Sequence, residues 1–404
     1  MIVWSRIIEM SNWLNKATIY LFVWCVYMTQ GIILPKGSAI TQLLAIALLL
    51  VSFYYVFVAN SRYKLPIYFK GLNILIIMFS IYGLYLIIGG YDPKEYTKQV
   101  PSFNYLKSIY ISLLPIYAFY VFAKEKLITE KNIVTIILFF FCLVTVKYFQ
   151  AQHEMLEAAL LIHSSKDEFT NNIGYSFLAL IPACVYFYKR PLLQYVSLSY
   201  CMVFLLMGMK RGAILIGAIC LVWLLWKNLT NASKKKRTGV LLLSIVLFFV
   251  GYSVVQKQME ESLLFQKRLE ETLEGNTSRR DDLYSHFLNY FWNETSPLQF
   301  VFGSGANATL KISYNYAHND WLEIAVNQGV LGIILYMFYW ITFAKVVSQN
   351  YSNQSKLALQ LLFVIYFMKT IFSMSYGDMT IPSTFILGYS LAQEKENEKI
   401  IYCS

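Results

Sequence analysis

His318, Arg280 and Arg211 are the side chains of this chain whose types and placing best suit chemistry. His318 lies in YAHNDWLEIAVNQGVLG, which closes the one long hydrophilic interruption in an otherwise apolar sequence. An imidazole titrates near neutrality and can take the proton of an attacking hydroxyl. Arg280, preceded by Arg279, opens a helical pattern over 280–292, and Lys210-Arg211 stands between two apolar runs in MGMKRGAIL. A guanidinium stays charged at any relevant pH and forks onto phosphate oxygens. Cations beside a base suit transfer of a group from a lipid-linked diphosphate to an alcohol. Arginine would stabilise the leaving diphosphate, so the scheme requires no metal and no cofactor. Each residue alone has a plainer reading. His318 could be a hydrogen-bonded interfacial histidine, Arg211 a snorkelling cation, and Arg279 or Arg280 the partner of Asp281 or Asp282. The two arginines sit where a helix dipole disfavours positive charge, which is a mild sign of a ligand.

The elements that must hold these residues are membrane helices. The chain has 404 residues, of which 57% are hydrophobic and only 14% charged, with a mean hydropathy of +0.49. Segments of about 20 apolar residues cross roughly 30 Å of hydrocarbon, and candidates fall at 17–34, 39–59, 71–90, 108–123, 132–149, 171–188, 191–209, 212–229, 239–255, 328–347, 357–375 and 380–392. The expected fold is an all-α, polytopic transmembrane bundle of about twelve spans with one large external helical loop. Residues 1–255 form the first bundle, 256–320 the loop and 321–404 the last helices. The first span has no small-residue cleavage site after it, so it reads as a retained helix.

Most of the 34 Lys and Arg residues then fall in connections on one side, among them Lys234, Lys235, Lys236 and Arg237. By the positive-inside bias both termini are cytoplasmic and the 256–320 loop is outside. That loop holds more acidic than basic residues, so the net charge of +11 resides in the inner connections, where it meets anionic lipid. No nucleic-acid site follows from it. The six cysteines show no CxxC or CxH spacing and read as small packing residues.

Within the loop, 256–274 reads as a surface helix ended by Gly275, and 280–292 as a second helix with Ser278 at its N-cap. Pro297 breaks the chain, and Gly303-Ser304-Gly305 supplies a turn in which backbone can approach a ligand. Asp320 to Glu323 reads as a capping box that opens the next helix. His153 and His163, ten residues apart, fit no metal spacing and read as solvated loop. Few charged residues fall inside the spans, chiefly Lys147 and Lys369.

These residues resemble the O-antigen ligase and polysaccharide polymerase superfamily of bacterial envelopes. His318-Asn319, nine residues, then Gly329-Val-Leu-Gly332 matches the family's His-Asn, nine residues, Gly-x-x-Gly pattern. Ser278-Arg279-Arg280 through Tyr284, Pro297 and FGSG looks like its Ser-x-Arg…Trp…Pro…Gly-x-Gly run, with Tyr284 where Trp is usual. Lys210-Arg211-Gly212-Ala213 resembles its Arg-Gly element. The resemblance is specific over about 200–340. It implies metal-independent, inverting transfer from an undecaprenyl-diphosphate-linked glycan at the outer face of the bacterial cytoplasmic membrane. His318, Arg280 and Arg211 would be catalytic, and Arg279, Lys210, Asn319, Gly303 and Gly305 would bind substrate.

Three functions compete. A polymerase would use a sugar hydroxyl of another lipid-linked repeat unit as acceptor, and a ligase would use lipid A core or a protein. The motifs are shared by both, and the resemblance favours the polymerase by a small margin, since aromatic-rich, low-charge members with divergent loops commonly serve repeat-unit polymerisation. A lipid-linked oligosaccharide flippase is the reading from another class. It would favour repeats and charges at the midplane of several spans, whereas the polar content here concentrates in one cap.

Overall fold

In lipid each backbone N–H must be satisfied within its own segment, so long apolar runs fold as helices. The computed structural model, which describes residues 15–88, 102–162, 171–273, 280–313, 315–349, 351–373 and 381–394, follows that rule. Its helices are α1 (Lys16–Met28), α2 (Ala39–Arg62), α3 (Tyr68–Ile88), α4 (Ser102–Leu113), α5 (Pro115–Lys124) and α6 (Glu130–Ile162). The broken helix α7 (Gly174–Phe187) follows, then α8 (Pro191–Met207), α9 (Arg211–Asn231) and α10 (Lys234–Glu261). Short helices come next: α11 (Leu263–Leu273), α12 (Arg280–Asn289), α13 (Pro297–Phe302) and α14 (Ala308–Ser313). Two long helices, α15 (Asp320–Ser348) and α16 (Asn353–Phe372), and the shorter α17 (Ile381–Ala392) complete the fold. The described residues form no strand, only two isolated bridges.

The protein is thus an all-helical, multi-span membrane protein. Eight helical segments among the described residues are long and apolar enough to span: α2, α3, Tyr105–Lys124 of α4 and α5, α6, α9, α10, α15 and α16. The sequence expectation of about twelve also included 17–34, 171–188, 191–209 and 380–392. At those places the chain forms shorter helices: α1, α7, α8 and α17. Helix α7 is interrupted, with Pro182 opening its second piece and a 3-10 turn at Val185–Phe187. Helix α6 runs well past the expected end at 149, so His153 lies on a helix surface, 3.4 Å from exposed Glu157. His163, Gly275, Ser278 and Arg279 lie outside the described residues.

Burial separates the centre of the bundle from its rim. The Tyr105–Lys124 window is 83% buried, whereas that of α10 is 11% buried. Helices α4 and α5 therefore run through the core, and α10 presents apolar side chains such as Phe248 and Phe249 to lipid. Aromatic edges weld the core: Trp24 of α1 meets Phe119 of α5 at 4.8 Å, and Phe119 meets Phe385 of α17 at 5.1 Å.

Candidate active site

The loop that carries His318 is held by the first turns of α15. Asn319 is the N-cap, its Oδ1 accepting from the backbone N–H groups of Trp321 (3.0 Å) and Leu322 (3.2 Å). The expected capping box of Asp320 and Glu323 is therefore corrected by one position, and both acids serve other ends. Buried Asp320 accepts from the Tyr336 hydroxyl at 2.7 Å. Glu323, fully buried, accepts from the Thr309 hydroxyl of α14, from Ala317 N–H (2.9 Å) and from Asn327 Nδ2 (3.1 Å). His318 thus sits between a backbone amide tied down by Glu323 and the cap of α15. Its φ of 52° is a left-handed conformation uncommon for a side-chain-bearing residue. The His318 carbonyl also accepts from Tyr284 of α12 at 3.4 Å. Trp321 Nε1 donates to Thr370 Oγ1 at 3.0 Å, which joins the start of α15 to the end of α16.

That same end of α16 receives Arg280. The guanidinium donates to the carbonyl of Phe372, the last residue of α16, at 2.7 Å. A cation is disfavoured at the start of its own helix but suits the carbonyl end of another. Helix α9 starts beside it. A Cβ built on Gly212 would lie 2.8 Å from the Tyr175 hydroxyl and 3.1 Å from Phe372 Cβ, so only glycine lets α9 approach this closely. Lys210 occupies the N-cap position of α9 in extended conformation and makes no side-chain cap. The tight turn before it places Met209 at a φ of 52°. Arg211 forms a 3.7 Å ion pair with Glu271 of α11, with both side chains about one quarter exposed.

Electrostatics join the two halves. The pKa of His318 lies below its usual value, first because the surrounding protein partly desolvates the imidazole, then because Arg280 and Lys210 repel a proton there. Two residues expected at the site from sequence, Arg280 and Lys210, therefore act on a third, His318, from separate elements, and Arg211 adjoins Lys210. Arg279 falls outside the described residues. The Asn319 carbonyl oxygen is occupied as a cap, which defines a structural use for it.

Gly303 and Gly305 approach backbone closely, and the backbone is that of α15. Helix α15 is broken at Gly329, with φ 68° and ψ −164°. The Ser304 and Gly305 N–H groups donate to the carbonyls of Val326 (2.9 Å) and Asn327 (3.0 Å), which the break leaves free. Gly303 and Gly329 are the contact points, since a Cβ on either would collide with main-chain atoms of the other strand of this junction. Gly305 faces Tyr85 of α3 in a groove that contains none of Lys210, Arg211, Arg280 or His318. The His-Asn and Gly-x-x-Gly motif thus marks the two ends of one short half-helix, capped at Asn319 and broken at Gly329.

Glu323 and Tyr175 escaped recognition as site residues. Glu323 had a signal, an acid three residues into a helix, that pointed to ordinary capping. Tyr175, in an apolar run far upstream, had none.

The fold is that of a polytopic helical membrane protein in which cations and a histidine gather where helix ends meet. Residues 196–337, about a third of the chain, match the O-antigen ligase family model, and this match supports membership of the superfamily of envelope glycan ligases and polymerases. The match runs from α8 to the middle of α15 and includes Lys210, Arg211, Arg280, His318 and Gly329. No curated protein matches the chain.

Proposed function

We propose that this protein is an envelope polysaccharide polymerase that moves a glycan from an undecaprenyl-diphosphate donor to a sugar hydroxyl of a lipid-linked repeat unit. The observation that carries the proposal is the imidazole of His318 lying in the joint field of Arg280 and Lys210 beside the start of α9. A lowered pKa keeps that imidazole neutral near pH 7, as a base must be. Helix N-termini bind phosphate groups through free N–H groups and the helix dipole.

His318 takes the acceptor hydroxyl proton while the oxygen attacks the anomeric carbon of the donor sugar. The bond from that carbon to the diphosphate oxygen breaks, and undecaprenyl diphosphate leaves with the electron pair, its charge met by Arg211, Arg280 and Lys210. Attack opposite the leaving group inverts the centre. The positive-inside bias supports a site at the outer face of the bacterial cytoplasmic membrane with both termini inside.

The O-antigen ligase description of the matched region supports a second reading, transfer to lipid A core. In a strain lacking the gene, a polymerase defect leaves single-unit glycans, whereas a ligase defect leaves long chains on the undecaprenyl carrier. Complementation with His318→Ala, Arg280→Ala or Arg211→Ala should give no product although the variants reach the membrane. His318→Asn, which removes the base, should fail likewise. Normal glycan ladders from all three alanine variants would refute the site.

A further inference from the structure

The structure assigns Lys369 of α16 to the same site, as the cation that binds the lipid-proximal phosphate of the diphosphate carrier. This inference rests on the function proposed above and extends it to a residue outside the matched region, 196–337.

Lys369 lies three residues before the end of α16 and is 7% exposed. Its ammonium stands over the ring of Tyr175 at 5.7 Å and that of Tyr366 at 6.0 Å. Among the described residues no carboxylate pairs with it. An ammonium inside a membrane helix is expensive unless an anion or a polar pathway compensates it. Aromatic faces offset part of that cost. Snorkelling would carry the head group out to water, yet this side chain stays buried against Tyr175.

Tyr175 shows where the charge is aimed. Its hydroxyl is the atom that Gly212 makes room for at the start of α9, it shares a hydrogen bond with Ser373, and the Arg280 charge acts on it. One ring therefore borders Lys369, Arg280 and the N-terminus of α9. The cations are also ordered in depth. Arg280 is bound to Phe372 at the helix end, and Lys369 is about 4.5 Å nearer the middle of α16 at 1.5 Å per residue. In a prenyl diphosphate the phosphate attached to the lipid lies on the hydrocarbon side. The deeper cation meets it, and Arg280, Arg211 and Lys210 meet the sugar-bearing phosphate.

The test is binding of undecaprenyl monophosphate and undecaprenyl diphosphate to purified full-length protein in nanodiscs, followed by native mass spectrometry. Lys369→Met should weaken both ligands about tenfold or more, the scale of one charge-assisted contact, and Lys369→Arg should restore both. Arg280→Ala should weaken the diphosphate and leave the monophosphate nearly unchanged. Lys369→Gln, matched to wild type in thermal midpoint, guards against a folding defect. If wild type binds both lipids and Lys369→Met and Lys369→Gln bind them equally well, the inference falls while the proposed function stands. A loss confined to the diphosphate in Lys369→Met also overturns the order of phosphates. Failure of wild type to bind the diphosphate refutes the proposed function and this inference with it.

Discussion

Gly329→Ala isolates the role of the break in α15. The backbone there has φ 68° and ψ −164°, a region that only glycine occupies without strain. Forcing a side chain into it costs about 1–3 kcal/mol. The added Cβ would also lie 2.5 Å from Gly303 N and 2.5 Å from Val301 O, both main-chain atoms that no rotamer change can move. Separating the segments to relieve that overlap costs a further ~1–3 kcal/mol, and it stretches the hydrogen bonds from Ser304 N–H and Gly305 N–H. The total is about 2–6 kcal/mol, a large part of the stability of an ordinary domain. Gly37→Ala supplies the control, because Gly37 has a comparable φ of 72° with nothing within 4 Å of its built Cβ. It should cost only the strain, about 1–2 kcal/mol. Thermal unfolding in detergent measures both variants, and amide exchange at Ser304 and Gly305 reports undocking of the loop. Equal destabilisation by the two substitutions, or unchanged exchange at Ser304 and Gly305 in Gly329→Ala, would refute the docking argument.

Other outcomes follow from the charges. Because His318 must be neutral to act as base and its pKa lies below the usual value, kcat/KM should fall as pH drops through a midpoint below 6.5. Lys210→Gln removes one of the repelling cations, so this acid limb should move to higher pH; a limb that stays put or moves down would contradict the assignment. On the proposed assignment of Arg211 to the donor diphosphate, its pair with Glu271 competes with the substrate, so Glu271→Gln should tighten undecaprenyl diphosphate binding by up to about fivefold, the range of a partly exposed ion pair. Weaker binding in that variant would show that the pair orients Arg211 instead.

What the sequence could state was whatever local chemistry decides. Long apolar runs require helices in lipid, and charge bias orients them, so the all-helical, multi-span class was legible from composition alone. Asn319 and Gly329 were visible as motif positions, and His318, Arg280, Lys210 and Arg211 stood out because ionisable residues are scarce in this chain.

Tertiary structure decided the uses of those residues. Arg280 looked misplaced at the start of its own helix, and the reason lies 92 residues away at the carbonyl end of α16. Gly303 and Gly305 looked free to meet a ligand; in the fold the Gly303 amide closes α13 on Gln299, and the Gly305 amide, with that of Ser304, completes the helix broken by Gly329. Glu323 looked like a cap and instead fastens the His318 loop to α14. Some expected spans form shorter or interrupted helices for a related reason: a helix buried among other helices, such as α7, tolerates breaks that an isolated span facing lipid would not, because its neighbours satisfy the freed backbone. Local propensity and hydropathy are properties of neighbours in the chain. Pairing a charge with a distant helix end depends on which segments pack together, and only the folded bundle determines that.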